Sequence, residues 1–239
     1  MISEKIKNYL LEETRKILTN HEYFHDFKLT RFSRDIPYDY EEFTFYDEET
    51  KRERKVRVSC GATKVCLLFD YEDGYNYVVK IPYRRNIDYC AIEFENYNRA
   101  VREGLSKYFA EMEYVSELVI VSGETLEECT AMNFPVYIME RVYVDGVEAS
   151  DRSYNYFREK IYSHENADED DITDEYWEAI DSEEFTESEF CFKAAYSEEI
   201  CDKLSTFLYK NNINDIHTQN IGFRDWDRPV FIDYSGYHG

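Results

Sequence analysis

The chain has 239 residues, 43% of them hydrophobic, and a formal net charge of -23. With only 8 Gly and 4 Pro it has the means to build a core, which excludes disorder throughout, and the length admits one sizeable domain or two small ones. The charge excludes general affinity for nucleic-acid phosphates or anionic membranes. It fits a solvated surface, a basic protein partner or imitation of nucleic acid, the first being the commonest.

Ile6, Leu10, Leu11 and Ile17 share a broad face of a first helix, with Glu and Lys opposite. His21 to Tyr40 is aromatic-rich and irregular. Two alternating strands then flank the polar turn Asp47 to Thr50, and a further pair, "KVCLLFD" and "YNYVVKIPY", flanks a turn at Gly74. Phe43 to Tyr83 therefore reads as an antiparallel meander. The next helix is "DYCAIEFENYNRAVREG", with Gly104 as its C-cap. Strands follow at "VSELVIVSG" and "PVYIMERV". After Asp145-Gly146 the composition turns to helix formers and acid. The stretch 165–189 reads as a solvated insertion or loosely packed helix. In "SEEICDKLSTFLYKNN" Ser197 caps a helix striped by Ile200, Leu204, Phe207 and Leu208. The six cysteines (Cys60, Cys66, Cys90, Cys129, Cys191 and Cys201) form no CxxC pair, and no His stands at zinc-ligand spacing. A reduced, cytoplasmic compartment is expected, and no segment has the length and apolarity to span a bilayer. The fold class is α+β, strand-rich first and helical later, with a cleft between two lobes.

The end of the chain raises the chemical question. Ile221 to Phe223 follows Asn220, and Val230 to Ile232 precedes Asp233. If the two runs pair as a hairpin, Asn220 and Asp233 converge at one end of the ladder, with Asp215 a short loop upstream. Polar residues so grouped are potential metal ligands. Each feature alone has a plainer reading. Lys80 would be an edge-strand surface residue, Gly61 a turn, Asp233 a turn cap and His217 a local hydrogen-bonding residue.

Taken in order, "SCGATK", "VVK" with Lys80, the helix acid Glu93 or Glu95, "DIHTQN" and "DYSG" resemble the protein-kinase-like fold. That fold includes eukaryotic-type protein kinases and the aminoglycoside and choline phosphotransferases. The resemblance implies a two-lobed architecture, an antiparallel-sheet N-lobe and a short helical C-lobe, that binds ATP and Mg²⁺ and moves the γ-phosphoryl to a hydroxyl. Lys80 takes the strand-lysine role and Glu93 its helix partner, since Tyr97, Ala100 and Val101 follow Glu93 at helical spacing whereas Glu95 points away. Asp215 is the catalytic Asp, and Asn220 and Asp233 are metal ligands. Gly61 and Lys64 belong to the phosphate loop. "YIMERV" is the hinge, with Met139 as gatekeeper and the backbones of Glu140 and Val142 toward adenine.

The implied domains are 1–55, an N-terminal extension; 56–142, the N-lobe; and 143–239, a reduced C-lobe whose core comes from 143–210 with the first 55 residues available to pack into it. The sequence departs from the family in keeping one phosphate-loop glycine, in placing "NNIN" before Asp215, and in carrying no APE-like motif after Gly236. The acceptor, protein or small molecule, therefore stays open, as does phosphoryl against nucleotidyl transfer. The alternative is a non-catalytic, acidic kinase-fold protein that engages a basic partner.

Overall fold

Strand alternation organises the first half of the protein. The computed structural model describes residues 2–20, 41–47, 51–60, 63–69, 77–83, 87–122, 130–162, 168–181 and 186–236. Six strands form one antiparallel sheet: β1 (Glu41–Asp47), β2 (Arg52–Cys60), β3 (Lys64–Phe69), β4 (Tyr77–Pro82), β5 (Met112–Ser122) and β6 (Thr130–Glu140), in the order β1-β2-β3-β4-β6-β5. The expected meander is β1 to β4. The turns at 48–50 and at Gly74, the stretch 21–40 and Gly61 lie outside the described residues.

Because side chains alternate across a strand, one face of the sheet gathers Val58, Val65, Leu67, Val79, Ile81, Leu118, Val136 and Ile138 into a core. Helix α1 (Glu4–Asn20) joins that core through Leu10, Ile17 and Leu18, all buried, with Ile6 and Leu11 packed at its margin. Each such side chain contributes about 1.5–3 kcal/mol when fully buried. The opposite face presents Cys66, Lys80 and Tyr137 side by side, since Cys66 pairs with Lys80 and Lys80 with Tyr137 in the ladder.

The described residues divide into two compact units: Met1–Glu95 with Glu111–Arg141, and Asn96–Ala110 with Val142–Gly239. The described residues among the first 55 cluster with the first unit. Strand β1 lengthens the sheet, and the apolar stripe of α1 covers the sheet's aliphatic face. The segment that joins the second unit is instead Asn96–Ala110. Helix α2 (Tyr89–Arg102) thus contributes Glu93 to the first unit and, one turn on, Asn96 to the second. Its end is the Schellman pattern expected of Gly104: Gly104 N–H donates to the Val101 carbonyl and Leu105 N–H to that of Ala100.

The second unit holds α3 (Gly146–Tyr156), continued by a π-helical turn at Phe157–Ile161, then α4 (Glu169–Asp181), α5 (Glu187–Ala195), α6 (Glu198–Lys210) and the hairpin β7 (Ile221–Arg224) and β8 (Arg228–Phe231). Asp145 caps α3 by accepting from Val147 N and Glu148 N. Ser197 stands at the N-cap of α6 with extended backbone, but its side chain makes no capping bond. Within the acidic stretch, expected as a solvated insertion or loosely packed helix, α4 packs: its Ile172 and Tyr176 are buried with Phe157 and Phe190. Phe109, Phe192, Phe207, Phe231 and Tyr234 make the aromatic core beside the hairpin. Arg152 of α3 clasps the hairpin turn, donating to the carbonyls of Trp226 and Asp227 and lying 4.7 Å over the Phe223 ring. Gly222 is required by close approach, because a Cβ there would stand 2.1 Å from Val142 Cγ2. Among the described residues no helix is long and apolar enough to cross a membrane.

Glu113 of β5 anchors the start of α1. Its Oε1 accepts from Ile2 N at 2.7 Å, and its Oε2 lies 2.7 Å from Lys7 Nζ. Burial works against ionisation of this carboxyl, but the hydrogen bonds from Lys7 and Ile2 outweigh it and hold the pKa below 4.5. A carboxylate depressed by folding stabilises above its unfolded pKa and loses that contribution as pH falls through the folded value. Glu113→Gln is therefore expected to melt below wild type at neutral pH, and the gap should close on acidification toward about pH 3. Thermal melts across that range check this; a gap undiminished at the acid end would refute it.

Candidate functional site

The polar face of the sheet places a charge cluster in the first unit. Lys80 projects from β4 on the side opposite Val79 and Ile81 and meets Glu93 of α2. Its Nζ is 3.1 Å from Oε1 and 3.2 Å from Oε2. Lys64, the first residue of β3, reaches the same carboxylate, with Nζ 3.0 Å from Oε1. Glu93 has no exposed surface, and each lysine is 5% exposed. The sequence-based choice of Glu93 over Glu95 agrees with these contacts, since Glu95 is exposed. Two ammonium groups held by one oxygen cannot be more than about 6 Å apart, close enough to repel appreciably without the carboxylate.

Helix α2 is fixed so that Glu93 points this way. Asp88 accepts from Ala91 N through Oδ1 at 2.9 Å, capping the helix, and from the Tyr137 hydroxyl through Oδ2 at 3.1 Å. Burial, and then the Asp88 carboxylate, push the Tyr137 phenol far above its ordinary range, so it stays a donor. Asp88 was missed in the sequence, although an Asp before a helical run is an N-cap signal. Cys90, fully buried beside the cluster, has its thiol pKa raised well above the usual value by burial, against the pull of Lys64; it is not a nucleophile.

Met139 is buried and pairs with Val78, which puts it on the sheet face of Lys80. Glu140 closes β6 against β5: its N–H donates to the Glu111 carbonyl at 2.7 Å, and its carboxylate accepts from Glu111 N at 3.1 Å. The Glu140 N–H, part of the backbone expected to face adenine, is therefore committed to the protein. Val142 packs its side chain against Gly222.

In the second unit the hairpin forms as expected. Ile221 pairs with Phe231, and Ile232 N donates to the Asn220 carbonyl at 3.0 Å, so Asn220 and Asp233 share one end of the ladder. The buried Asn220 donates its amide nitrogen to the Asp215 carbonyl at 2.7 Å, closing the loop between them. The Asp-x4-Asn spacing is therefore a loop closure first, and it leaves the amide oxygen as the atom suited to a cation. Asp215 is exposed, with Oδ1 3.9 Å from the exposed His217 Nε2, a pair weakened by solvent. Asp233 is half-buried and accepts from the Ser235 hydroxyl at 3.2 Å.

Residues the sequence reading missed hold Asp233 in place. The Tyr234 carbonyl accepts from Asn96 Nδ2 at 2.8 Å, and the Tyr234 hydroxyl donates to the Ala110 carbonyl at 2.8 Å. A polar Asn one turn after Glu93 on an apolar stripe was the available signal. Gly236 has φ +73°, and a Cβ there would lie 2.2 Å from the Asn212 carbonyl oxygen, so the glycine of "DYSG" is required by the backbone.

Among the described residues, no group of three or more His, Cys, Asp or Glu could hold a metal ion. One carboxylate and one amide oxygen nevertheless fit Mg²⁺, which binds through one or two protein ligands when phosphates supply the rest. Comparison with protein-family models and with curated proteins yields no match to this chain.

The shared carboxylate predicts an asymmetry in stability. Glu93→Ala removes the counter-charge of two buried ammonium groups and should cost about 3–5 kcal/mol. Lys64→Met leaves Glu93 held by both oxygens on Lys80 and should cost about 1 kcal/mol or less. Denaturant unfolding of both variants checks the order; a Lys64→Met loss as large as that of Glu93→Ala would contradict it. Gly236→Ala, strained in φ and clashing with the backbone, is expected to lower the melting temperature clearly below wild type.

Proposed function

We propose that the protein is an ATP- and Mg²⁺-dependent phosphotransferase of the protein-kinase-like fold. The observation that carries this reading is the buried Lys80–Glu93 pair, made between an interior strand and the helix that follows it. The strand order β2-β3-β4-β6-β5, with that helix between β4 and β5 in the chain, supports it. So does the hairpin that brings Asn220 and Asp233 to one end.

In this reading Lys80, oriented by Glu93, binds the α- and β-phosphates. The Glu140 carbonyl and the Val142 backbone bind adenine, with Met139 behind it. Asn220 and Asp233 hold Mg²⁺, which neutralises the phosphates when bound. Asp215 orients the acceptor hydroxyl and takes its proton as the hydroxyl oxygen bonds to the γ-phosphorus and the bond to the ADP oxygen breaks. Its exposure suits a residue that must meet an acceptor from solvent. Catalysis is mainly alignment and charge stabilisation, so loss of the base should lower the rate by about 10²–10⁴-fold.

A second reading, a non-catalytic binding protein for a basic partner, is favoured by the outer face of α4, where Asp170, Asp171, Asp174, Glu175 and Glu178 are all exposed. The two separate on one experiment. Incubation with γ-labelled ATP, Mg²⁺ and a host lysate should transfer label to an acceptor, and Asp215→Asn should slow the transfer by about 10²–10⁴-fold. No transfer by wild type, no stabilisation by Mg-ATP, and salt-sensitive capture of a basic protein by wild type and Asp233→Ala alike would establish the second reading instead.

A further inference from the structure

Lys64 is more deeply involved than a phosphate-loop residue needs to be. It starts β3, diagonal to Lys80 on the same sheet face, and both ammonium groups lie within hydrogen-bond reach of the same Glu93 oxygen. Lys80 already engages both carboxylate oxygens. An apolar side chain at position 64 would leave that pair intact and avoid the cost of burying a second charge. The pairing with Glu93 therefore gives little reason by itself for a lysine here. A polyanion does, because it replaces part of the hydration both amines have lost and meets them with several oxygens.

We infer that Lys64 and Lys80 form a two-lysine clamp for one polyphosphate, with Glu93 as their common positioning residue. The inference rests on the nucleotide reading above for the identity of the ligand. Its chemistry, two amines on one chain of phosphates, stands by itself. The sequence "SCGATK" that leads into β3 contains a single glycine, and the second amine supplies a phosphate contact from the strand. Glu93 has a second function in this arrangement. When phosphate draws one lysine toward itself, the other keeps the buried carboxylate paired, and no charge is stranded in the interior.

The test uses the full chain as wild type, Lys64→Met, Lys64→Arg, Lys80→Met and the double Met variant. Ligand-free melts first establish that each is folded, and Lys64→Arg keeps the charge should Lys64→Met fail to fold. Affinity for ATP with Mg²⁺ and for inorganic tripolyphosphate is then measured by titration at fixed ionic strength. Each single Met variant should bind both ligands about tenfold more weakly, the double variant about a hundredfold more weakly, and Lys64→Arg should keep most of the wild-type affinity. Lys64→Met that binds ATP and tripolyphosphate like wild type overturns the clamp and leaves the nucleotide reading in place. Tripolyphosphate bound in a manner dependent on both lysines, with ATP bound no better than tripolyphosphate or not at all, supports the clamp and removes the nucleotide reading. Wild type that binds neither ligand overturns both.

Discussion

Glu93 is the constraint around which the first unit is arranged. A carboxylate without any exposed surface can stay charged only if ammonium groups follow it into the interior, and two do. The register of β3 and β4 puts Lys64 and Lys80 on one face, and α2 directs Glu93 at them. Helix α1 lies on the other face, where the same strands present Val65, Leu67, Val79 and Ile81. The polar side of the sheet is therefore as strongly specified as its aliphatic side.

The second unit solves a different problem, holding exposed or half-buried oxygens without a dense charge network. It does so through the backbone. Asn220 ties the Asp215 loop, the hairpin ladder ties Asn220 to Ile232, and the residues flanking Asp233 are held by Asn96, Ala110 and the cap of α6. Asn212, at φ 54°, provides the left-handed turn after α6, and Ile213 N donates back to Leu208. Gly236 packs on that same turn. The end of α6 and the end of the hairpin are consequently one structure, and a change in either moves the carboxylate of Asp233.

The parts of this arrangement carried by periodicity were legible in the sequence. Alternation in "YVVKIPY" separates Lys80 from Val79 and Ile81, and helical spacing separates Glu93 from Glu95. The hairpin pattern aligns Asn220 with Asp233. What was not legible depends on register between distant segments. That Lys64 would share a carboxylate with Lys80 follows only once β3 pairs with β4 through Cys66 and Lys80. The burial of Asn96 against the Tyr234 carbonyl joins residues 138 positions apart: a polar Asn on an apolar stripe signals that it needs a partner but not which one. The placement of α1 was open for the same reason: an amphipathic helix announces that it needs an apolar surface but not which one. In the acidic stretch, read as a solvated insertion or loosely packed helix, the packing rests on Ile172 and Tyr176, spaced by one turn on the inner face of α4.

Strand β3 serves two masters through the parity of its residues, odd positions for the aliphatic core and even positions for the charge cluster. Insertion or loss of one amino acid between Lys64 and Phe69 would exchange the two sets at once, sending Lys64 toward Leu10 and α1 while Leu67 faced Glu93. Length variation among descendants of this chain should accordingly be confined to its connections, with this strand inherited as an indivisible block.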